Sequence, residues 1–206
     1  MIYLCAGVYA EGPTDYRFLL PLTTRLITEI AASLFPAECE VADSVGIDAP
    51  SRVRSRRRLI PAAIDDYWTS CTIFVVHSDG AGDPQAAHMN SISPGVEAAR
   101  LDHPGLVAVA CIPVREIEAW LLADEAVFQQ LFGRAPELPM NPEADTDPKA
   151  TFRRVISELG GRSPGDFYAV FGERVDLRRL RSLSAFARFE ADLSAAIRGF
   201  GTAISG

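Results

Sequence analysis

Five acids stand where apolar runs of the sequence give out. Glu11 ends "MIYLCAGVYAE". Asp79 and Asp83 follow "CTIFVVHSDGAGD". Glu116 and Glu118 follow "GLVAVACIPVREIE". Several carboxylates cannot share a small site while charged unless a cation offsets them; otherwise one of them takes up a proton. All-oxygen ligands of this kind suit Mg²⁺ or Mn²⁺. His77 stands beside Asp79 and reads as a general base, a metal ligand or a proton donor to substrate, or else as a packed, hydrogen-bonded histidine. Lys149 is the sole lysine among 20 basic side chains, in "DPK" just before a helix. It steadies a phosphate or a charged intermediate, or it is an exposed residue at a helix start.

Elements must carry these residues to one place. Ile2 to Ala10 reads as a buried strand and Pro13 to Leu34 as a long helix, with apolar residues at helical spacing from Phe18 to Leu34. Pro13 suits a first helical turn, Asp15 suits the helix dipole there, and Gly12 permits a turn that a side chain would block. A weaker strand is expected over Cys39 to Val45, then an arginine-rich loop, then a helix from Leu59 to Trp68. Thr72 to Val76 is the clearest buried strand, β-branched and aromatic. A polar, flexible loop to about Ser93, a helix from Pro94 to Leu101 and a strand in "GLVAVACIPV" follow. "REIEAWLLADEAVFQQLF" is helical, with Trp120, Leu121 and Leu122 in the core. A Glu116–Glu118 pair would splay on a helix and share a side on a strand.

Four apolar strands separated by helices predict an α/β fold with a mainly parallel, doubly covered sheet, Rossmann-like under right-handed crossovers. Ligands of such sheets bind outside the carboxyl ends of the strands. From Gly133 to Pro148 four prolines mark a linker, and the remainder is helical. The expected organisation is an α/β domain over residues 1–132, and a Pro-rich linker with a helical extension over 133–206 packed on the same domain.

The net charge of −7 argues against a protein that coats nucleic acid nonspecifically. Clustering tells more: five arginines lie within Arg52 to Arg58. Of these Arg54, Arg56, Arg57 and Arg58, together with Gly12, are candidates for phosphate contact; guanidinium pairs with phosphate in a bidentate way. The four cysteines, Cys5, Cys39, Cys71 and Cys111, form no CxxC pair and read as reduced thiols. No apolar run reaches the length of a bilayer span, and the opening lacks a basic leader. A cytoplasmic protein is expected.

The pattern resembles the TOPRIM domain shared by topoisomerases, primases and the overcoming-lysogenization-defect type of nuclease. The resemblance lies in Glu11–Gly12 after the first strand and Asp79 and Asp83 after the third. It is closer to an uncharacterised bacterial TOPRIM-like family, some members of which are encoded beside ABC-type ATPases in phage-defence loci. Its marks here are "EGPTD" (Glu11 to Asp15), "EIEAWLLAD" (Glu116 to Asp124) and "DPK" (Asp147 to Lys149). TOPRIM nucleases carry Asp-x-Asp. Here the second acid comes four positions after the first, and Gly80 and Gly82 either turn both acids to one ion or leave Asp83 outside it. The resemblance implies a Mg²⁺-dependent nuclease using Glu11, Asp79, Asp83, Glu118 and Glu116 as metal-binding acids. An ATPase partner or self-association would supply grip on nucleic acid. The alternative is a non-catalytic interaction subunit with a degenerate site.

Overall fold

The computed structural model describes residues 1–36, 38–51, 53 and 56–204, excepting the side chains at 56, 57 and 202–204. The first apolar run folds as two strands, β1 (Ile2–Leu4) and β2 (Ala6–Tyr9). They part at Cys5, whose carbonyl accepts from the Thr72 and Ile73 N–H groups at 2.9 and 3.2 Å. The helix α1 (Pro13–Leu34) follows. The weaker strand is likewise divided, into β3 (Cys39–Val41) and β4 (Val45–Gly46). Then come α2 (Arg56–Tyr67) and β5 (Ile73–His77).

β1 pairs with β3, and the main sheet runs β4-β2-β5-β6, where β6 is Ala108–Cys111. Every pairing is parallel. The carboxyl ends of all four strands therefore lie along one edge of the sheet.

β5 is buried on both faces, and period-2 alternation divides its side chains. Ile73 and Val75 join a core with Phe18, Leu22, Trp120 and Phe186. Phe74 and Val76 join a second core with Ile60, Ile64 and Val96. The chain is thus α/β, with a four-stranded all-parallel sheet flanked by helices and a helical C-terminal region, of Rossmann-like type.

Two segments correct the expectations. The stretch between β5 and residue 93 is not a flexible loop. It holds α3 (Pro84–Ala87), which passes through a π-helical turn (His88–Ile92) into α4 (Ser93–Asp102). Arg56 to Arg58 are the first turn of α2 and not a loop, because the helix begins a turn before its first apolar contact at Ile60.

After β6 the chain forms α5 (Glu118–Leu121), α6 (Glu125–Phe132), α7 (Pro148–Glu158), α8 (Tyr168–Arg174), α9 (Leu177–Leu180) and α10 (Ser184–Ile204). These helices pack into the first core. The Trp120 ring lies 5.3 Å edge-on to Phe186. Gly172 of α8 lies so near α1 that a Cβ would stand 2.3 Å from the Phe18 carbonyl oxygen. Among the described residues no helix is long and apolar enough to cross a membrane.

Candidate functional site

Each strand of the main sheet is followed by an acid. Asp48 lies two residues after β4, Glu11 two after β2, Asp79 two after β5 and Glu116 five after β6. Because neighbouring strands run parallel, these acids reach one rim in the order Asp48, Glu11, Asp79, Glu116. Glu11 is exposed and lines a cleft of about 820 Å³ together with Asp48, His77 and Ser78.

Backbone packing fixes the neighbourhood of Asp79. The loop after β5 is hydrogen-bonded to the loop after β6: the Ala81 N–H donates to the Arg115 carbonyl at 3.2 Å and the Gly82 N–H to the Val114 carbonyl at 2.8 Å. Ala81 and Gly82 adopt positive φ, 48° and 92°, the left-handed region that glycine takes readily. Gly80 is the point of closest approach, where a Cβ would stand 2.2 Å from the Pro113 carbonyl oxygen. The loops that carry Asp79 and Glu116 are joined in this way.

His77 is buried beneath them. Its Nδ1 lies 2.9 Å from the Cys111 carbonyl oxygen, and its Nε2 lies 3.6 Å from Asp79 Oδ1. A carbonyl oxygen only accepts, so Nδ1 carries a proton. Nε2 faces a carboxylate, so it too is favoured as an N–H. Burial alone would lower the imidazole pKa. The interaction with Asp79 and the bond to Cys111 outweigh it and raise the pKa to about 10. Both contacts favour the protonated imidazole, the form that donates to Asp79 and to the Cys111 carbonyl.

The raised value has a measurable consequence. A histidine whose folded pKa exceeds its unfolded value near 6.5 stabilises the fold fully below 6.5, and the contribution is lost as pH rises through about 10. The Tm is expected to fall between pH 7 and pH 9. Asp79→Asn removes the raising partner, so its Tm is expected to change less over that interval. Parallel Tm curves for the two proteins would contradict the assignment.

Lys149 occupies the other end of the rim. Asp147 caps α7 by accepting from the Ala150 N–H at 2.9 Å, and Pro148 fills the first helical position. "DPK" thereby aims the Lys149 ammonium at the rim. Its Nζ stands 3.3 Å from Glu118 Oε1 and 3.6 Å from Glu116 Oε1. Glu118 is buried and also accepts from the Tyr168 hydroxyl at 2.6 Å. Burial and that bond to Glu118 hold the Tyr168 phenol protonated, its pKa far above the ordinary range. Burial would lower the Lys149 pKa, but Glu118 and Glu116 raise it, so the ammonium stays charged.

Neither local geometry weighed for the two glutamates is the one adopted. β6 stops at Cys111, Glu116 sits in the irregular segment before α5, Glu118 opens α5, and both meet Lys149.

The acids act on one another. Glu116 is raised above the usual carboxylate range by burial, then by Glu118 and Asp79. Asp15 is raised by burial and by Asp79 and Glu118, although His77 pulls it down. Asp15 also closes the first turn of α1, accepting from the Gly12 N–H at 3.0 Å. Gly12 has the ordinary extended φ of −136°, so no left-handed turn requires it; a Cβ there would press on Asp15 Oδ2 at 3.2 Å.

Other candidates take structural roles. Asp83 caps α3, accepting from the Ala86 N–H at 2.9 Å, which is the turn-initiating use of that acid. Asp124 caps α6 and accepts from the Asp176 N–H at 3.0 Å, tying α6 to the start of α9. Arg54 and the side chains of Arg56 and Arg57 lie outside the described residues; Arg58 is exposed. Among the described residues no three His, Cys, Asp or Glu side chains converge closely enough to hold an ion between them.

Sequence reasoning missed Asp48, Tyr168 and Ser78. Asp48 follows a strand of two residues, too short to read. Tyr168 lies 50 positions from Glu118 and carries no local signal. Ser78 sits between His77 and Asp79, in a motif whose flanking residues drew the attention.

The fold and rim define a Rossmann-like α/β protein with acids at the carboxyl edge of a parallel sheet. Compared with protein-family models, with curated proteins and with solved structures, the chain has no match.

Proposed function

We propose that this chain is a TOPRIM-type, Mg²⁺-dependent phosphodiester hydrolase, a nuclease acting at the strand rim. What supports the reading is the delivery of acids from neighbouring parallel strands to one edge with the only lysine of the chain among them. The donor set fits the ion. Asp79 and Glu116 keep 47% and 30% of their side chains exposed, and Mg²⁺ is ordinarily held by one or two carboxylates, with water and substrate phosphate completing its shell. Asp79 and Glu116 would hold it, with Glu11 on the far side of His77. Glu118 is committed to Lys149 and Tyr168, and Asp83 to its helix. A bound divalent ion lowers the pKa of a water and offsets charge on the phosphoryl oxygens.

The remaining work falls to the chain's own groups. The His77 imidazolium holds the Asp79 carboxylate in place. Glu118 and Tyr168 hold Lys149, whose ammonium meets the phosphate. The chain carries net charge −7, so an ABC-type ATPase partner or self-association supplies grip on nucleic acid, in a cytoplasmic phage-defence system of the kind that the resemblance implies. Cleavage of labelled DNA and RNA with and without Mg²⁺ tests this. Wild type is expected to give Mg²⁺-dependent products that Glu11→Ala and Asp79→Ala lack. Equal cleavage by the variants rejects the site.

One observation favours a second reading, a non-catalytic interaction subunit. Lys149 between Glu116 and Glu118 already offsets part of the negative charge without an ion. Calorimetry that detects no Mn²⁺ binding with DNA present selects it.

A further inference from the structure

The rim opens on its β4 and β2 side into the cleft of about 820 Å³. That volume lies in the range of small-ligand sites, about 300–1,000 Å³. His77 and Ser78, which end β5, line it, as do the half-buried Tyr9 of β2, Ile60 of α2, and Asn90 of the π-helical turn. Glu11 and Asp48 are also part of its lining.

Two features mark the wall of this cleft. Ser78 is only 6% exposed and stands on the cleft wall beside His77, so it presents a hydroxyl from the end of β5 to whatever enters. The second feature is the π-helical turn. The extra residue shifts the helical register just where Asn90 and Ser91 meet the cleft, and such turns recur at functional sites.

We propose that this cleft binds the nucleoside of an unpaired nucleotide, so that the substrate is a single strand or a strand end. Tyr9 offers a ring for base stacking and the Asn90 amide a donor and an acceptor for a base edge. Glu11 and Asp48 accept from sugar hydroxyls, as acids do in dinucleotide sites. Asp48 already accepts from the Tyr16 hydroxyl at 2.7 Å, which fixes its carboxylate. Ser78 contacts the sugar or the phosphate ester. A paired, stacked base cannot enter a cleft of this size without leaving its duplex. His77 lines the cleft and also touches Asp79, so a nucleoside seated there presents its phosphate to the rim. The inference rests on the proposed phosphodiester chemistry for its role, but its test does not.

Calorimetric titration with the four nucleoside 5′-monophosphates in metal-free buffer measures the site directly. At least one is expected to bind and to displace a labelled single-stranded octanucleotide more readily than a labelled hairpin duplex. Ser78→Val and Asn90→Ala are each expected to weaken binding about fivefold to tenfold, the loss of one hydrogen bond. Asn90 is exposed, so Asn90→Ala carries the test should Ser78→Val not fold. No binding at millimolar nucleotide, or wild-type affinity in the folded variants, overturns the proposal. Nucleotide binding without Mg²⁺-dependent cleavage leaves it standing and sinks the nuclease; cleavage without nucleotide binding does the reverse.

Discussion

Gly80→Ala is expected to be the most damaging single-methyl change in the chain. Its Cβ would stand 2.2 Å from the Pro113 carbonyl oxygen and 2.6 Å from that of Val114. Both obstacles are backbone, so no rotamer change relieves them, and one loop must lift from the other. The bonds from Ala81 to Arg115 and from Gly82 to Val114 go with it. Overpacking costs about 1–3 kcal/mol and each lost backbone bond about 1 kcal/mol. A loss of about 3–5 kcal/mol follows, roughly 6–20 °C in Tm for a chain of this size. Gly105→Ala is the control, because nothing lies within 4 Å of its Cβ position, and about 0.5 kcal/mol or less is expected there. The Gly80 variant also carries Asp79 away from His77 and Glu116, so Mg²⁺-dependent cleavage is expected to fall more than about 100-fold, the scale set by misplaced catalytic groups. A Gly80→Ala protein that melts with wild type would show that the two loops do not fix the rim.

That loop contact shows why the sequence discloses some of this site and hides the rest. Glu11, Asp79 and Glu116 are legible because each follows an apolar run, and a run of that kind in a parallel sheet leaves its next polar residue at the carboxyl edge. The α1 helix is legible from its spacing, and Trp120 from its apolar surroundings. What is hidden depends on contacts between distant segments. Gly80 reads as a loop glycine that turns the two aspartates, and its actual constraint is a carbonyl 33 positions away. Asp83, at an unusual spacing from Asp79, is compatible with a metal site or a helix cap, and only the fold of the loop decides for the cap. The protonated form of His77 is favoured by Asp79 and then by the carbonyl of Cys111, a neighbour across β5 and β6 that no local pattern reveals. The helical turn Arg56 to Arg58 is hidden for another reason: three consecutive arginines carry no apolar periodicity.

Those hidden contacts also change the electrostatic problem that the acids pose. From sequence, clustered carboxylates demand an external cation. Among the described residues two cations are internal, His77 against Asp79 and Lys149 against Glu116 and Glu118. An ion arriving at the rim therefore meets partly offset acids, and its affinity in the absence of a phosphate ligand is expected to be modest.

Lys149→Met separates the lysine's two duties. The substitution keeps the length and apolar stem of the side chain and deletes its charge. Glu118, 1% exposed, is then a buried carboxylate with the Tyr168 hydroxyl as its remaining bonded partner in the cluster. Breaking a fully buried ion pair costs about 3–5 kcal/mol. Lys149 is about one-third exposed, so solvent takes up part of the charge and about 2 kcal/mol is expected by chemical denaturation at pH 7. Adding Glu118→Gln removes the stranded charge while leaving an acceptor for Tyr168, and the double variant is expected to return to within about 1 kcal/mol of wild type. Stability is thereby restored, but activity is not: a lysine that meets phosphate in the transition state contributes about 100-fold, as single charge-stabilising donors do, and the double variant lacks it. Recovery of cleavage along with stability would reduce Lys149 to a counterion. Lys149→Met stability within 0.5 kcal/mol of wild type would deny it even that part, and with it the claim that the rim acids are held together from within.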